Sequence, residues 1–168
     1  MPDARRFGQL PWLGLSLLVI ALDLWTKHLA VTSIAYRQRI EVIAGWLDWT
    51  HVYNTGAAFS FLADQPGWQR WFFALIAVAV CAALVVWLRR LKNNETWLAV
   101  ALAMVLGGAL GNLHDRVLLG HVVDFILVHW QDRHHFPAFN LADSAITVGA
   151  IMLALDMFLS KKSGESEK

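Results

Sequence analysis

Four apolar stretches, each close to the ~20 residues a helix needs to cross hydrocarbon, constrain this chain more than any other feature it has. The clearest covers 71–88, WFFALIAVAVCAALVVWL, with no charge inside and Arg70, Arg89 and Arg90 just outside. The others cover 11–31, carrying Asp23 and Lys27; 97–113, rich in alanine and glycine; and 141–159, with Asp143 near its start and Asp156 near its end. The first reads as a retained span rather than a cleaved signal peptide. Its apolar region is long, holds two charges and lacks a clean small-residue cleavage site. Charged residues make up 16% of the chain, against roughly 25% in soluble domains, which agrees with a membrane protein. A formal net charge of +1 gives no electrostatic reason for a nucleic-acid partner. The lone cysteine, Cys81, lies inside an apolar run and reads as a buried, inert thiol.

Lysine and arginine in the flanks set the orientation. Arg5, Arg6, Arg89, Arg90, Lys92, Lys161, Lys162 and Lys168 fall on one side; Arg37, Arg39, Arg70, Arg116 and Arg133 fall on the other. The richer side is expected in the cytoplasm, with both termini. Trp12, Trp87 and Trp97 then form an inner aromatic belt, and Trp68, Trp71 and Trp130 an outer one. The chain is therefore expected to form a single integral membrane domain over 1–168. It is an all-α bundle of four transmembrane helices, with outer segments at 32–70 and 114–140 and a disordered polar tail at 161–168.

In the first outer segment Leu47, Trp49, His51 and Tyr53 alternate with Asp48, Thr50, Val52 and Asn54, a period-two pattern that predicts strand in a small extracytoplasmic sheet. NTGAAF at 54–59 supplies a turn, with Gly56 free to take positive φ. The second outer segment lacks a full spanning length and reads as a short interfacial element with a loop. In the third span Ala103, Gly107 and Gly111 recur every four residues, the small-residue spacing that lets a neighbouring helix approach. Gly108, on an adjacent face, would leave room for packing or for a ligand.

An ionisable residue inside a span is costly and therefore a candidate for function. Asp23 has Lys27 four residues on, which predicts a structural ion pair. Asp115 stands beside Arg116, but neighbours on a helix diverge, which leaves Arg116 for a substrate carbonyl or a headgroup. Asp156 is too far along its helix from Asp143 to share a site with it. Asp124 and Asp143 remain, each without a lysine or arginine within one turn. Asp143 has a structural explanation at the start of its helix, with Asn140 as cap; Asp124 sits among valines and Phe125. Taken together, two carboxylates at one depth make a pair that can share a proton and activate water against a peptide bond. Competing chemistries have less support. HExxH and GxSG strings are absent, so zinc and serine peptidases lack their motifs. His114 with His121 and Asp124 is the alternative metal set, and a non-enzymatic binding protein or small transporter is the alternative of another class.

Five motifs in order resemble one family. They are Asp23 with Lys27, NTGAAF at 54–59, GGALGNLHDR at 107–116, VVDF at 122–125 and FNLADS at 139–144. The chain resembles the bacterial lipoprotein signal peptidases, also called signal peptidase II. The resemblance implies an aspartic endopeptidase of the cytoplasmic (inner) membrane, working without metal or organic cofactor. Such enzymes cut prolipoproteins before a diacylglyceryl-modified cysteine. It implies that Asp124 and Asp143 are the catalytic dyad. Asn54, Asn112, Arg116 and Asn140 would contact substrate, with Asp23, Lys27 and Asp115 as structural support. It further implies outer strands that form a cradle with a mobile element, and inhibition by the cyclic peptide globomycin.

Overall fold

A lipid-spanning segment must satisfy its backbone polar groups internally, and the four apolar stretches do so as helices. The structure, a computed structural model, describes residues 8–55 and 68–165. After a short 3-10 turn at Leu10–Trp12, the chain forms α1 (Leu13–Ser33), β1 (Arg39–Ile43), β2 (Leu47–Asn54), α2 (Trp68–Arg90), α3 (Thr96–Leu118), β3 (Val122–Trp130), β4 (His134–His135) and α4 (Leu141–Glu165). All four helices are long and apolar enough to cross a membrane. Leucines and valines stay exposed on their outer faces, as on Leu75 of α2 and Leu155 of α4. The expected turn at Gly56 and the flanking cations Arg5, Arg6 and Lys168 lie outside the described residues, as do 56–67, which hold the rest of NTGAAF. α4 continues to Glu165, through most of the stretch expected to be a disordered tail.

α3 is the central helix and touches the other three. Towards α2 it buries Leu102 and Leu106 against Cys81, Leu84 and Leu88, so the thiol is a core group. Towards α1 it presents the expected small-residue stripe. A Cβ on Gly107 would meet Ser16 O and Val19 Cβ at 2.8 Å, and Ser16 Oγ donates to Ala103 O at 2.8 Å. Gly108 leaves no room for a ligand. A Cβ there would lie 2.3 Å from Ala142 O and 2.8 Å from Ile146 Cγ1, so this glycine lets α4 close onto α3. Gly108→Ala should therefore lower the thermal midpoint in detergent, with overpacking worth about 1–3 kcal/mol outweighing alanine's helix preference of about 1 kcal/mol. Gly14→Ala, with nothing within 4 Å of its Cβ, should be neutral or stabilising. Equal midpoints for the two variants would contradict this packing.

The strands form one antiparallel sheet in the order β1-β2-β3-β4 at the end of the bundle where α1 and α3 finish. The predicted strand at Leu47 is β2, but its faces are inverted relative to a soluble sheet. Polar Asp48 and Thr50 are buried while Trp49 and Tyr53 are exposed. A register shift between Trp49 and Val52 lets His51 turn inward as well, where its Nδ1 lies 3.0 Å from Ile34 O. The second outer segment is not a separate interfacial element. Its core is β3, one of the two inner strands, and its end supplies β4. α3 also runs past the expected boundary at 113, so His114, Asp115 and Arg116 sit on the helix.

Candidate active site

β3 carries Asp124 opposite Val52 of β2, and Asn54, two residues further on, falls on the same face of the sheet. α4 carries Asp143 in its first turn. One residue joins them. Asn140 caps α4 through a reciprocal box: Asp143 N–H donates to Asn140 Oδ1 (2.9 Å) and Asn140 N–H donates to Asp143 Oδ2 (3.2 Å). The same asparagine turns its Nδ2 outward to donate to Asp124 Oδ1 at 2.8 Å. The capping role expected for Asn140 and its place beside both carboxyls are thus one geometry. Asn54 also hydrogen-bonds the Asp124 carboxyl. Asp124 is only 1% exposed. Burial, and then the Asp143 charge, push its pKa up from 3.8 to about 7, against the opposing hydrogen bonds from Asn54 and Asn140 and the charge of Lys27.

Behind Asp143 lies a second layer. Asn112 Nδ2 donates to Asp143 Oδ1 at 2.7 Å, while Asn112 Oδ1 accepts from Lys27 Nζ (3.0 Å) and from Asn140 Nδ2 (3.2 Å). Two donors converging on one oxygen fix which way the amide points, so Asn112 must present its NH₂ to Asp143. Lys27 also pairs with Asp23 at 2.7 Å, the predicted i,i+4 contact, and with Asp115 at 2.9 Å. Arg116 is therefore not Asp115's partner. Asp23 Oδ1 in turn accepts from Ala142 N–H (2.9 Å), which ties α1 to the first turn of α4. A Cβ on Gly111 would lie 2.6 Å from Asp23 Oδ2, so the stripe in α3 makes space for this carboxylate as well as for a helix.

Beside the Asp124 carboxyl a cavity of about 230 Å³ is lined by Val52, Tyr53, Asn54, Thr55, Asp124, Pro137 and Ala138. The sequence did not single out Pro137 or Ala138. They belong to an extended run held beside β3 by Phe125 N–H and Ile126 N–H donating to Phe139 O (3.0 and 2.9 Å), and no short-range pattern announces that pairing. Arg116 lies in the electrostatic field of Asp143 and Asp124; its Nη1 donates to Asn112 O (3.3 Å), and its buried Nε has no hydrogen-bond partner among the described residues. The alternative metal set does not assemble. The His121 ring lies tilted against Tyr53, centroids 3.9 Å apart, and His114 Nδ1 turns to Asp115 Oδ1 at 3.3 Å. Among the described residues, the His, Cys, Asp and Glu side chains spaced as metal ligands are His129, Asp132 and His135.

Known proteins resemble this chain throughout its length. The lipoprotein signal peptidase of Pseudomonas aeruginosa is 69% identical over 166 residues, covering 99% of this chain and 98% of that protein. The lipoprotein signal peptidase of Pseudomonas putida is 70% identical over 162 residues, covering 96% and 95%. A bacterial membrane enzyme solved by the in meso method at 2.3 Å matches with TM-score 0.78 and 33% identity over 94% of this chain and 93% of its own. A second, solved by the same method at 1.9 Å, matches with TM-score 0.75 and 32% identity, covering 88% of this chain and 92% of its own. The family model described as signal peptidase (SPase) II matches residues 15–159, nearly the whole span from the first helix to the last, and the chain belongs to that family.

Proposed function

We propose that this signal peptidase II cuts its substrate with Asp124 and Asp143 acting as an aspartic dyad. The observation that carries the reading is the joint grip of Asn140 on both carboxyls, with Asp124 raised to about 7 by burial and by its neighbour's charge. A pair so placed holds one proton between its members near neutral pH. The ionised carboxyl takes a proton from water as the water attacks the scissile carbonyl. The protonated one hydrogen-bonds the carbonyl oxygen and then helps to protonate the leaving amine. Asn54, on the cavity wall, supplies a hydrogen bond to an extended signal-peptide backbone that finds few in an apolar cleft. Asn112 and Asn140, whose amides are committed to the two carboxyls, orient the dyad, and Arg116 offers its guanidinium to a carbonyl or a lipid headgroup.

The substrate is a prolipoprotein whose cysteine already carries diacylglycerol. It arrives by lateral diffusion with its acyl chains in the bilayer, and the cut falls just before that cysteine. With both termini in the cytoplasm, the sheet end faces the periplasm and the dyad sits where water is available. Globomycin-type cyclic peptides compete for this cavity. No metal or organic cofactor enters the scheme, and no observation favours the transporter or binding-protein alternative.

Cleavage of a purified diacylated precursor, followed by gel shift across a pH series with and without chelator, tests the reading. Cleavage should survive chelator and fall as pH rises past about 7, when the shared proton is lost. Chelator-sensitive cleavage would point to a metal enzyme, and no cleavage to the binding-protein alternative. Stability should follow the same group. A carboxyl raised in the fold keeps its proton where the unfolded chain releases it, so the contribution is full below about 4 and is lost as pH rises through about 7. The thermal midpoint should therefore fall between pH 5 and pH 8 in the wild type, and Asp124→Asn should flatten that slope. A slope unchanged in Asp124→Asn would assign it to another group.

A further inference from the structure

The strand that carries Asp124 ends in a second group of ionisable side chains, which the aspartate site does not use. After β3, Gln131 and Asp132 turn the chain with φ of 45° and 55°, and Arg133 N–H donates back to Trp130 O (2.9 Å). The turn returns His135 opposite His129. Three ligand atoms meet inside it. His129 Nδ1 lies 3.6 Å from Asp132 Oδ1, His135 Nε2 lies 3.4 Å from the same oxygen, and the two rings stack at 5.5 Å. Donors bonded to zinc at about 2.0–2.1 Å in a tetrahedron sit about 3.4 Å apart. Two edges of such a polyhedron are already near that length.

Two further observations say that the cluster draws a cation. His129 is buried, and its Nε2 lies 3.2 Å from the buried carboxylate of Asp48. Asp132 N–H donates to His129 Nδ1 at 3.3 Å, so Nδ1 carries the lone pair and faces Asp132, while Nε2 makes no hydrogen bond among the described residues and has the Asp48 charge beside it. A positive group is also already present. Arg39 Nη1 lies 3.3 Å from Asp132 Oδ1 and 3.2 Å from His135 Nε2, on an exposed side chain that a coordinated ion can displace.

We infer that His129 Nδ1, Asp132 Oδ1 and His135 Nε2 bind a divalent transition cation of the zinc class, with water in the remaining position. Binding replaces the Arg39 guanidinium and the 3.3 Å contact from Asp132 N–H to His129 Nδ1. Two imidazoles and one carboxylate suit zinc rather than magnesium or calcium, which take oxygen ligands. The site is distinct from the dyad: His129 is five residues beyond Asp124 on β3, about 17 Å along a strand. The aspartate chemistry does not depend on this ion, so chelator strips it while cleavage continues.

The test uses the full chain, purified in detergent and stripped with chelator. Zinc is titrated against a competing chromophoric chelator, and cobalt is followed by its visible absorption. One ion should bind per chain, and magnesium in large excess should not compete. Asp132→Asn and His135→Ala, both at accessible side chains, should each weaken zinc at least about tenfold. Arg39→Ala should tighten it. Asp124→Asn should leave it unchanged, which separates this site from the proposed dyad. The inference is overturned if the wild type takes up no stoichiometric zinc, if Asp132→Asn and His135→Ala both bind it as well as the wild type, or if Arg39→Ala weakens it.

Discussion

Asp124→Asn and Asp143→Asn should each reduce cleavage of a diacylated precursor by about 10³-fold or more, and the double variant should be hardly worse than either single one. Groups that act as a unit are non-additive, because removing one member leaves the other without its partner in the transition state. General acid–base catalysis alone accounts for about 10²–10⁴. The fold should persist in both variants. Asp124→Asn keeps a side-chain oxygen to accept from Asn140 Nδ2, the bond that Asp124 Oδ1 holds at 2.8 Å. Asp143→Asn keeps one acceptor of two. Asp143 Oδ1 accepts from Asn112 and Oδ2 from the Asn140 N–H, so this variant loses a single hydrogen bond, about 1 kcal/mol. Thermal unfolding of each variant beside a cleavage time course makes the check. Near-normal processing by either would remove that aspartate from the chemistry, and single-variant losses that multiply in the double variant would show two independent groups rather than a dyad.

The parts of this fold that were legible in the sequence are those written in short-range pattern. Span length and apolarity located the four helices; the period-two run at Leu47 marked β2; the four-residue spacing of Asp23 and Lys27 gave a real ion pair at 2.7 Å. What failed to show has a common cause. Val122, Val123, Asp124, Phe125 and Leu127 of β3 are all buried, so both faces of the strand are covered and the alternation that would betray it is missing. A continuous apolar run of that length reads equally well as an interfacial segment. Divergence of neighbours on a helix separated Asp115 from Arg116, but nothing in the local pattern named Lys27, on another helix, as the partner that Asp115 meets. Gly108 offered packing or a ligand, and only the approach of Ala142 decides between them. The metal set weighed from the sequence was His114, His121 and Asp124, whereas the turn at Gln131 and Asp132 gathers His129, Asp132 and His135. The candidate site fared better because its residues are few and polar in an apolar chain. An unpaired carboxylate in such surroundings is conspicuous wherever the backbone takes it.

Lys27→Met should be strongly destabilising. Lys27 Nζ sits 2.7 Å from Asp23 Oδ2 and 2.9 Å from Asp115 Oδ2, with all three side chains no more than 4% exposed. Methionine matches the lysine stem in volume, so the loss is electrostatic: two carboxylates face each other with no cation between them. Breaking a buried ion pair from one side costs about 3–5 kcal/mol, enough to lower yield sharply in a marginally stable protein. Lys27→Met/Asp115→Asn should recover part of the loss, since it removes one of the two stranded charges, and a recovery of that kind is not expected if lysine serves only as packing. Activity per folded molecule should fall as well, but far less than yield. Lys27 Nζ also holds Asn112 Oδ1 at 3.0 Å, and that bond keeps the Asn112 NH₂ turned to Asp143. Membrane yield and thermal midpoint, measured beside specific activity, distinguish the roles. A Lys27→Met protein that accumulates and unfolds like the wild type but no longer cleaves would move Lys27 from the scaffold into the chemistry.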